Sequence, residues 1–196
     1  MNWILDNYAK KYDIIFFTDD DIKKIGRVYF GEDENKPDKA DWEEVKICLS
    51  HMKFIADKIG AKIGGFSCLE NSFDKMQMGG GGGKFALIQK KYIDGKAFII
   101  YSDDGTRYDE ELYLKEDIAF NCESLLKNKR TLSVPFVCVS GKALVNKGGV
   151  CDVRTMDLEI EHARKLIYKY GDMVRPFINK KTTKGVRSQP VQLRIE

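Results

Sequence analysis

Residues 97–101, with the sequence AFIIY, are apolar at every position. Successive side chains of a β-strand point to opposite faces of the sheet, so a strand without polar positions is buried on both faces. The segment therefore predicts an interior strand. Residues 84–93 precede it and end at Asp94-Gly95, a pair that favours a type I′ turn because both central residues of that turn need a positive φ. Together the two segments predict a β-hairpin.

Two segments carry clear helical periodicity. In residues 41–59 apolar side chains recur at helical spacing, Asp41 and Glu44 suit a capping box, and Gly60 ends the pattern. In residues 156–170 the pattern begins after Thr155, a suitable N-cap, and ends at Gly171. Weaker signals predict a short helix over residues 3–12, a buried strand over 14–17, a third helix over 108–126 and a strand over 132–139. In the last of these, Pro135 indicates an edge position or a bulge.

Helices and strands alternate without strict βαβ repetition, which favours one α+β domain with a mixed central β-sheet surrounded by helices. The chain has 196 residues, of which 43% are hydrophobic and 32% are charged. These values exclude a disordered chain, a fibre and a large multi-domain assembly. We expect residues 1–172 to form the domain and residues 173–196 to form a basic C-terminal tail or linker.

The formal net charge of +3 is unevenly distributed. Residues 173–196 hold six basic residues and one acid, a net charge of +5, which leaves −2 for the rest. A basic end on a weakly acidic body indicates contact with an anionic partner, although a solvated terminal segment is an equally good interpretation. If the partner is RNA, the predicted contacts are Lys180, Lys181, Lys184 and Arg187.

The cysteines and the N-terminal sequence bear on location. The five cysteines, at positions 48, 68, 122, 138 and 151, form no CxxC pair, and only two histidines are available to complete a zinc site. Reduced, packed thiols in an intracellular protein are expected. The N-terminal sequence lacks a signal-peptide pattern, and no apolar run approaches the ~18 residues of a membrane span. We therefore expect no membrane association.

Two motifs can be compared with known catalytic patterns, and one of them fits. The run MGGGGGKF, with five glycines at 79–83, lacks the spacing of a phosphate-binding loop and predicts a flexible loop. Asp74, Gln89 and Lys91 fit the PD-(D/E)XK nuclease pattern, in which acids hold Mn²⁺ or Mg²⁺ and the lysine assists the attacking water. The alternative is that they are charged and polar residues on the solvent side of a strand.

The two histidines lie in the two predicted helices. His51 is expected to be a partly buried boundary residue more often than a ligand. His162 has charged neighbours on both sides and is expected at the surface.

Several stretches share an order with one viral family: YFGEDENK, KICLSHMKFIAD, AFIIYS, KNKRTLSVPFVCVSG and TMDLEIEHARKLI. On these stretches, which spread over residues 28–167, the chain resembles the N-terminal endonuclease domain of the orthomyxovirus polymerase acidic subunit. The resemblance implies a PD-(D/E)XK-like mixed sheet wrapped by helices. Members of this family cleave capped host transcripts with two divalent ions held by a helix histidine and several acids, near a lysine.

Transferred to this sequence, the resemblance implies a degenerate metal site like that of the thogotovirus group. His51 matches the helix histidine, and Lys115 or Lys127 matches the lysine. The acid positions correspond to Leu87-Ile88, to Ile99 or Ile100, and to Gly64 or Gly65, none of which offers an oxygen ligand to a hard cation.

The expected function is therefore that of a nuclease-fold domain of a viral RNA polymerase that has lost its metal-dependent activity. The expected partners are RNA and other viral polymerase subunits, and the expected location is the host nucleus. Two alternatives remain: an active nuclease built on Asp74, Gln89 and Lys91, and a non-catalytic intracellular regulatory or interaction protein.

Overall fold

The computed structural model describes residues 1–19, 22–27, 38–68, 88–89, 93, 95, 97–141, 155–177 and 192–195. Within these ranges the chain forms four α-helices: α1 (Asn2–Tyr8), α2 (Trp42–Ile59), α3 (Glu116–Asn128) and α4 (Met156–Tyr170). The strands are β1 (Ile15–Thr18), β2 (Ile22–Arg27), β3 (Asp38–Lys39), β4 (Ile63–Cys68), β5 (Ile88–Gln89), β6 (Ala97–Ile100), β7 (Thr131–Gly141), β8 (Val174–Phe177) and β9 (Gln192–Ile195). The α+β class predicted from the sequence is confirmed.

A mixed sheet of seven strands forms the centre of the fold. Its order is β1-β6-β4-β7-β2-β3, with β5 paired to β7. Strands β4 and β7 run parallel, and the other neighbours are antiparallel. Strand β6 pairs on one side with β1 and on the other with β4, and all four of its residues are buried. The predicted interior strand is therefore confirmed.

The predicted hairpin across Asp94-Gly95 is wrong. Both edges of β6 are occupied by β1 and β4, while Ile88 and Gln89 pair with Leu132 and Thr131 of β7. The turn sequence describes only local geometry, whereas the sheet partners of β6 come from distant parts of the chain.

Both faces of the sheet are covered by helices. Ala97 and Ile99 pack toward α2 in a cluster with Met52 and Val139. Phe98 and Ile100 point to the other face, where they meet Leu5 of α1 and Phe120 of α3. A third cluster joins α3 to α4 through apolar residues that include Leu125, Leu166 and Val174. This layering explains why the AFIIY segment has no polar position.

The helix caps follow the sequence closely. The Asp41 side chain accepts a hydrogen bond from the Glu44 amide at 2.8 Å, and the Glu44 carboxylate accepts one from the Asp41 amide at 2.9 Å, which completes the capping box of α2. Gly60 ends α2 with a φ of 74°. Thr155 caps α4 through the Leu158 amide at 3.2 Å, and Gly171 ends it.

Several element boundaries differ from the predictions. The helix expected over 108–126 is a 3₁₀ turn at Glu110–Leu112 followed by α3, and α1 ends at Tyr8 instead of residue 12. Strand β7 is flanked by β4 and β2, so the edge position proposed for Pro135 is wrong. The bulge is supported, because Phe66 pairs with Val134 but Ser67 pairs with Cys138.

Part of the predicted tail also adopts regular structure. Strands β8 and β9 pair antiparallel, with Val174 opposite Ile195. Val174 is buried in the cluster between α3 and α4. The division at residue 172 stays a prediction.

Three of the cysteines are buried thiols. Cys48, Cys122 and Cys138 take part in no disulfide. Burial raises the pKa of the Cys48 and Cys122 thiols to about 12. Among the described residues, none of the helices combines the length and the apolar character that crossing a bilayer requires.

Candidate functional site

Two of the positions that the resemblance assigns to metal-binding acids lie side by side in the sheet, whereas Ile88 pairs with Leu132 of β7 and Leu87 lies outside the described residues. Gly64 of β4 is the register partner of Ile99 of β6, and Gly65 is the partner of Phe98. Positions 64 and 99 could therefore contribute to one site if they carried acids. In this chain Ile99 is fully buried, and Gly64 has no side chain.

The space next to Gly64 is filled. A Cβ atom at this position would lie 2.2 Å from the Leu132 carbonyl oxygen and 2.7 Å from the Tyr101 ring. At Gly65 a Cβ would lie 2.3 Å from the Ile93 side chain. A glutamate or aspartate at either position would require β4 to move away from its neighbours. The residues present do not fit a divalent metal ion, because Gly64, Gly65 and Ile99 carry no side-chain oxygen and the space beside both glycines is occupied.

Tyr101 packs next to Gly64 on the face of the sheet that α2 covers. Its side chain is fully buried and its hydroxyl has no hydrogen-bond partner among the described residues. Burial raises the pKa of the Tyr101 hydroxyl above its usual range, with a smaller contribution from Cys48. The centre of the sheet is thus a packed core and contains no open cleft at positions 64 and 99.

The three residues that the resemblance assigns to catalysis are not brought together. His51 is exposed on α2, so its predicted partly buried position is wrong. Lys115 and Lys127 lie near opposite ends of α3, on the other side of the sheet from α2. Among the described residues there is no group of three or more His, Cys, Asp and Glu side chains placed to hold a metal ion.

Each of the two lysines has a partner within the fold. The Lys115 Nζ atom lies 2.6 Å from Glu159 Oε2, and both side chains are almost completely buried. The exposed Lys127 donates a hydrogen bond to Thr106 Oγ1 at 3.1 Å. Lys115 therefore has no access to a substrate in solution, and both lysines tie α3 to neighbouring segments.

Lys115, Glu159 and His162 form a cluster that we call the buried polar cluster. His162 is 2% exposed, so its predicted surface position is wrong. Its Nδ1 atom has no hydrogen-bond partner among the described residues, and the ring packs edge-on against Tyr113 with 5.0 Å between centroids. Burial lowers the pKa of His162, and the cation of Lys165 lowers it further. The arrangement favours a neutral imidazole next to a buried ion pair.

The sequence contained a signal for this cluster that the helical pattern obscured. The apolar residues that recur at helical spacing in α4 are Met156, Ile160, Ala163, Ile167 and Tyr170, and this spacing predicts that they face the core. The structure instead buries Glu159, His162, Ala163, Leu166 and Tyr170, so the buried face is rotated toward two polar residues. Glu159 and His162 are three residues apart and share a face with Leu166. Treating them as a possible buried pair would have identified this face.

A second polar network holds the segment between β6 and α3. Arg107 contacts Asp103 at 2.8 Å and Asp6 at 2.7 Å, which links this segment to α1. The hydrogen bond and charge of Arg107 lower the pKa of Asp103, and the Gly105 amide adds to this effect. The Asn128 side chain also donates a hydrogen bond to Asp104. Because these carboxylates bind side chains of the same chain, the network has a structural role.

Other predicted site residues lie outside the described residues. Asp74 and Lys91 of the alternative nuclease set fall there, and of Gln89 only the backbone pairing in β5 is described. The predicted RNA contacts Lys180, Lys181, Lys184 and Arg187 also fall outside. Both predictions stay open.

Comparisons with protein-family models, with curated proteins and with solved structures found no match.

Proposed function

We propose that this chain is a non-catalytic, nuclease-like domain of a viral RNA polymerase subunit of the polymerase acidic type. In this proposal the fold has kept its sheet and helices and lost the metal site. The domain acts as a structural or RNA-proximal module in the host nucleus, in contact with other polymerase subunits. The observation that carries the proposal is the juxtaposition of Gly64 and Ile99.

The geometry at these positions supports the loss of metal chemistry. A nuclease of this class needs carboxylate oxygens from neighbouring strands around the same ions. Positions 64 and 99 are such neighbours, but the Leu132 carbonyl and the Tyr101 side chain occupy the space that a side chain at position 64 would need. A single substitution would not restore the site, because the surrounding core would have to be repacked as well.

Lys115 supports the same proposal. In a nuclease the lysine must reach the attacking water, which requires access to the substrate. Lys115 instead forms an ion pair with Glu159 beneath the surface. Its charge is used to hold α4 against the segment before α3.

A divalent-ion thermal shift tests the loss of the metal site. We expect Mn²⁺ to leave the melting temperature of the chain unchanged relative to an EDTA-treated sample. Asp74→Ala serves as a control and should behave like the parent chain. If Mn²⁺ raises the melting temperature and Asp74→Ala removes the effect, the alternative nuclease set of Asp74, Gln89 and Lys91 is correct instead.

A binding measurement tests the proposed role near RNA. The triple variant of Lys180, Lys181 and Lys184 to Ala should weaken binding of a fluorescent single-stranded RNA. Each phosphate contact to a single strand contributes about 0.7 to the slope of log K against log salt concentration, so three lost contacts should reduce the slope by about 2.

A matched control removes the same charge elsewhere. Lys10, Lys23 and Lys39 are exposed and lie outside the predicted tail, and their triple variant to Ala has the same net charge as the test variant. This control should keep the salt slope of the parent chain. Equal slopes for the test variant and the parent chain would contradict RNA binding by the tail.

A further inference from the structure

The outward face of α2 carries large apolar side chains that are exposed and that the part of the chain described by the structure leaves uncovered. Ile47 is 58% exposed and Phe54 is 64% exposed. The inner face of the same helix is formed by Val45, Cys48, Leu49, Met52 and Ala56 and packs on the sheet. The amphipathic pattern therefore explains only one face of α2, and the apolar residues of the other face need a different explanation.

The exposed residues form a straight row along the helix. Glu43, Ile47, Ser50, Phe54 and Lys58 are spaced by four, three, four and four residues, and all are exposed. Residues at this spacing share one side of an α-helix. We call this row, together with His51 beside Ser50, the outer stripe.

The outer stripe is self-complementary when read in the opposite direction. Its midpoint lies between Ser50 and His51, and reversing it places Ile47 opposite Phe54 and Glu43 opposite Lys58. A two-fold interface requires this property, because each residue of one copy meets a different residue of the other and both contacts occur twice. A parallel arrangement would place Glu43 against Glu43 and Lys58 against Lys58.

We propose that the outer stripe of α2 is a dimerisation surface, which packs antiparallel against the same stripe of a second copy of this chain. The apolar centre consists of two Ile47 and two Phe54 side chains. A Glu43–Lys58 pair between the copies closes each end. The charge pattern favours a second copy over an unrelated partner, because both halves of each ion pair are already present on one helix.

The contacts that these charges make within the chain do not compete strongly with this arrangement. Glu43 pairs with Lys46 at 2.5 Å, and the Lys58 ammonium lies 5.5 Å from the centre of the Phe54 ring. The Glu43–Lys46 ion pair is exposed and contributes little, and the Lys58–Phe54 contact is a cation–π contact between two exposed side chains. The patch is small for a permanent interface, so the dimer should dissociate in the micromolar range or above.

The first test measures molecular mass by sedimentation equilibrium with the full chain from about 1 µM to about 1 mM. We expect a reversible monomer–dimer equilibrium. Phe54→Ser should raise the dissociation constant about tenfold or more, because it removes an apolar contact at both symmetry-related positions. Tyr168→Ser is the matched control, since Tyr168 is 94% exposed on α4 and outside the stripe. It should leave the dissociation constant unchanged.

A charge-reversal cycle tests the antiparallel arrangement. Glu43→Lys and Lys58→Glu should each weaken the dimer, because each creates like charges across the interface. The double variant should restore the parent dissociation constant. If Phe54→Ser lowers the helix content by circular dichroism, Ile47→Ser replaces it in the first test. A monomer at every concentration, or a double variant no better than the single variants, would overturn the proposal.

Discussion

Replacing Lys115 with methionine should cause a large loss of stability, because it breaks a buried ion pair. The Lys115 and Glu159 side chains are 1% and 0% exposed, with 2.6 Å between Nζ and Oε2. At an effective dielectric constant of about 20, two unit charges at this distance attract each other by about 6 kcal/mol. This attraction offsets a desolvation cost of several kcal/mol for each ion. Removing the lysine removes this attraction from a desolvated carboxylate.

Breaking a buried ion pair on one side costs about 3–5 kcal/mol. Near the melting temperature, a loss of 1 kcal/mol lowers the melting temperature of a chain of this size by about 2–4 °C. Lys115→Met should therefore lower it by roughly 6–20 °C. The measurement is thermal unfolding followed by circular dichroism, together with urea unfolding to obtain the free energy.

Two further variants separate the ion pair from general damage to the core. The double variant with Lys115→Met and Glu159→Leu should recover most of the lost stability, because both charges are then absent. Lys165→Met is the matched control, since Lys165 pairs with Glu161 on the exposed side of α4 and its loss should leave the melting temperature nearly unchanged. A Lys115→Met variant as stable as the parent chain, or a double variant less stable than the single one, would contradict a stabilising buried ion pair.

Three further predictions concern packing, hydrogen bonding and pH. Gly64→Ala should lower the melting temperature sharply, because its Cβ would lie 2.2 Å from a carbonyl oxygen, whereas Gly95→Ala should not, since its nearest contacts are at 3.6 Å. Asn121→Leu should cost about 1–3 kcal/mol in urea unfolding, because the buried backbone of Ile93 loses hydrogen bonds of 2.9 and 3.1 Å. The pKa of His162 is lowered in the folded chain. As the pH falls through the usual histidine range, the unfolded chain therefore binds more protons than the folded chain, and the free energy of unfolding should decrease. His162→Gln should make this decrease smaller.

Local signals explain how much of the fold the sequence could predict. Asp41, Glu44 and Gly60 define the ends of α2 through contacts between near neighbours, and the structure reproduces them. The burial of β6 could also be predicted, because its side chains alternate between the two faces of the sheet and all of them are apolar. The strand partners of β6 could not be predicted, since β1 and β4 lie far away in sequence and the Asp94-Gly95 turn signal pointed to a different neighbour.

The buried polar cluster could not be predicted from the sequence, because its charges are paired between elements that are far apart in the chain. A histidine with acidic residues before it and basic residues after it is typical of a surface. Glu159 is tolerated in the interior because Lys115 meets it from another element. For the candidate site, the resemblance implied acids at position 64 or 65 and at position 99 or 100, and positions 64 and 99 lie on neighbouring strands. The packing around Gly64 could not be read from the sequence, because it depends on Leu132 and Tyr101.

Incubation of the chain with single-stranded RNA and Mn²⁺ tests the proposed loss of catalysis most directly. The RNA carries a fluorescent label at one end, and its length is followed by gel electrophoresis in the presence of Mn²⁺ and in the presence of EDTA. We predict the same intact RNA under both conditions, because the residues at positions 64 and 99 cannot hold a metal ion. Cleavage that requires Mn²⁺ and disappears in Asp74→Ala would contradict the account and identify an active nuclease.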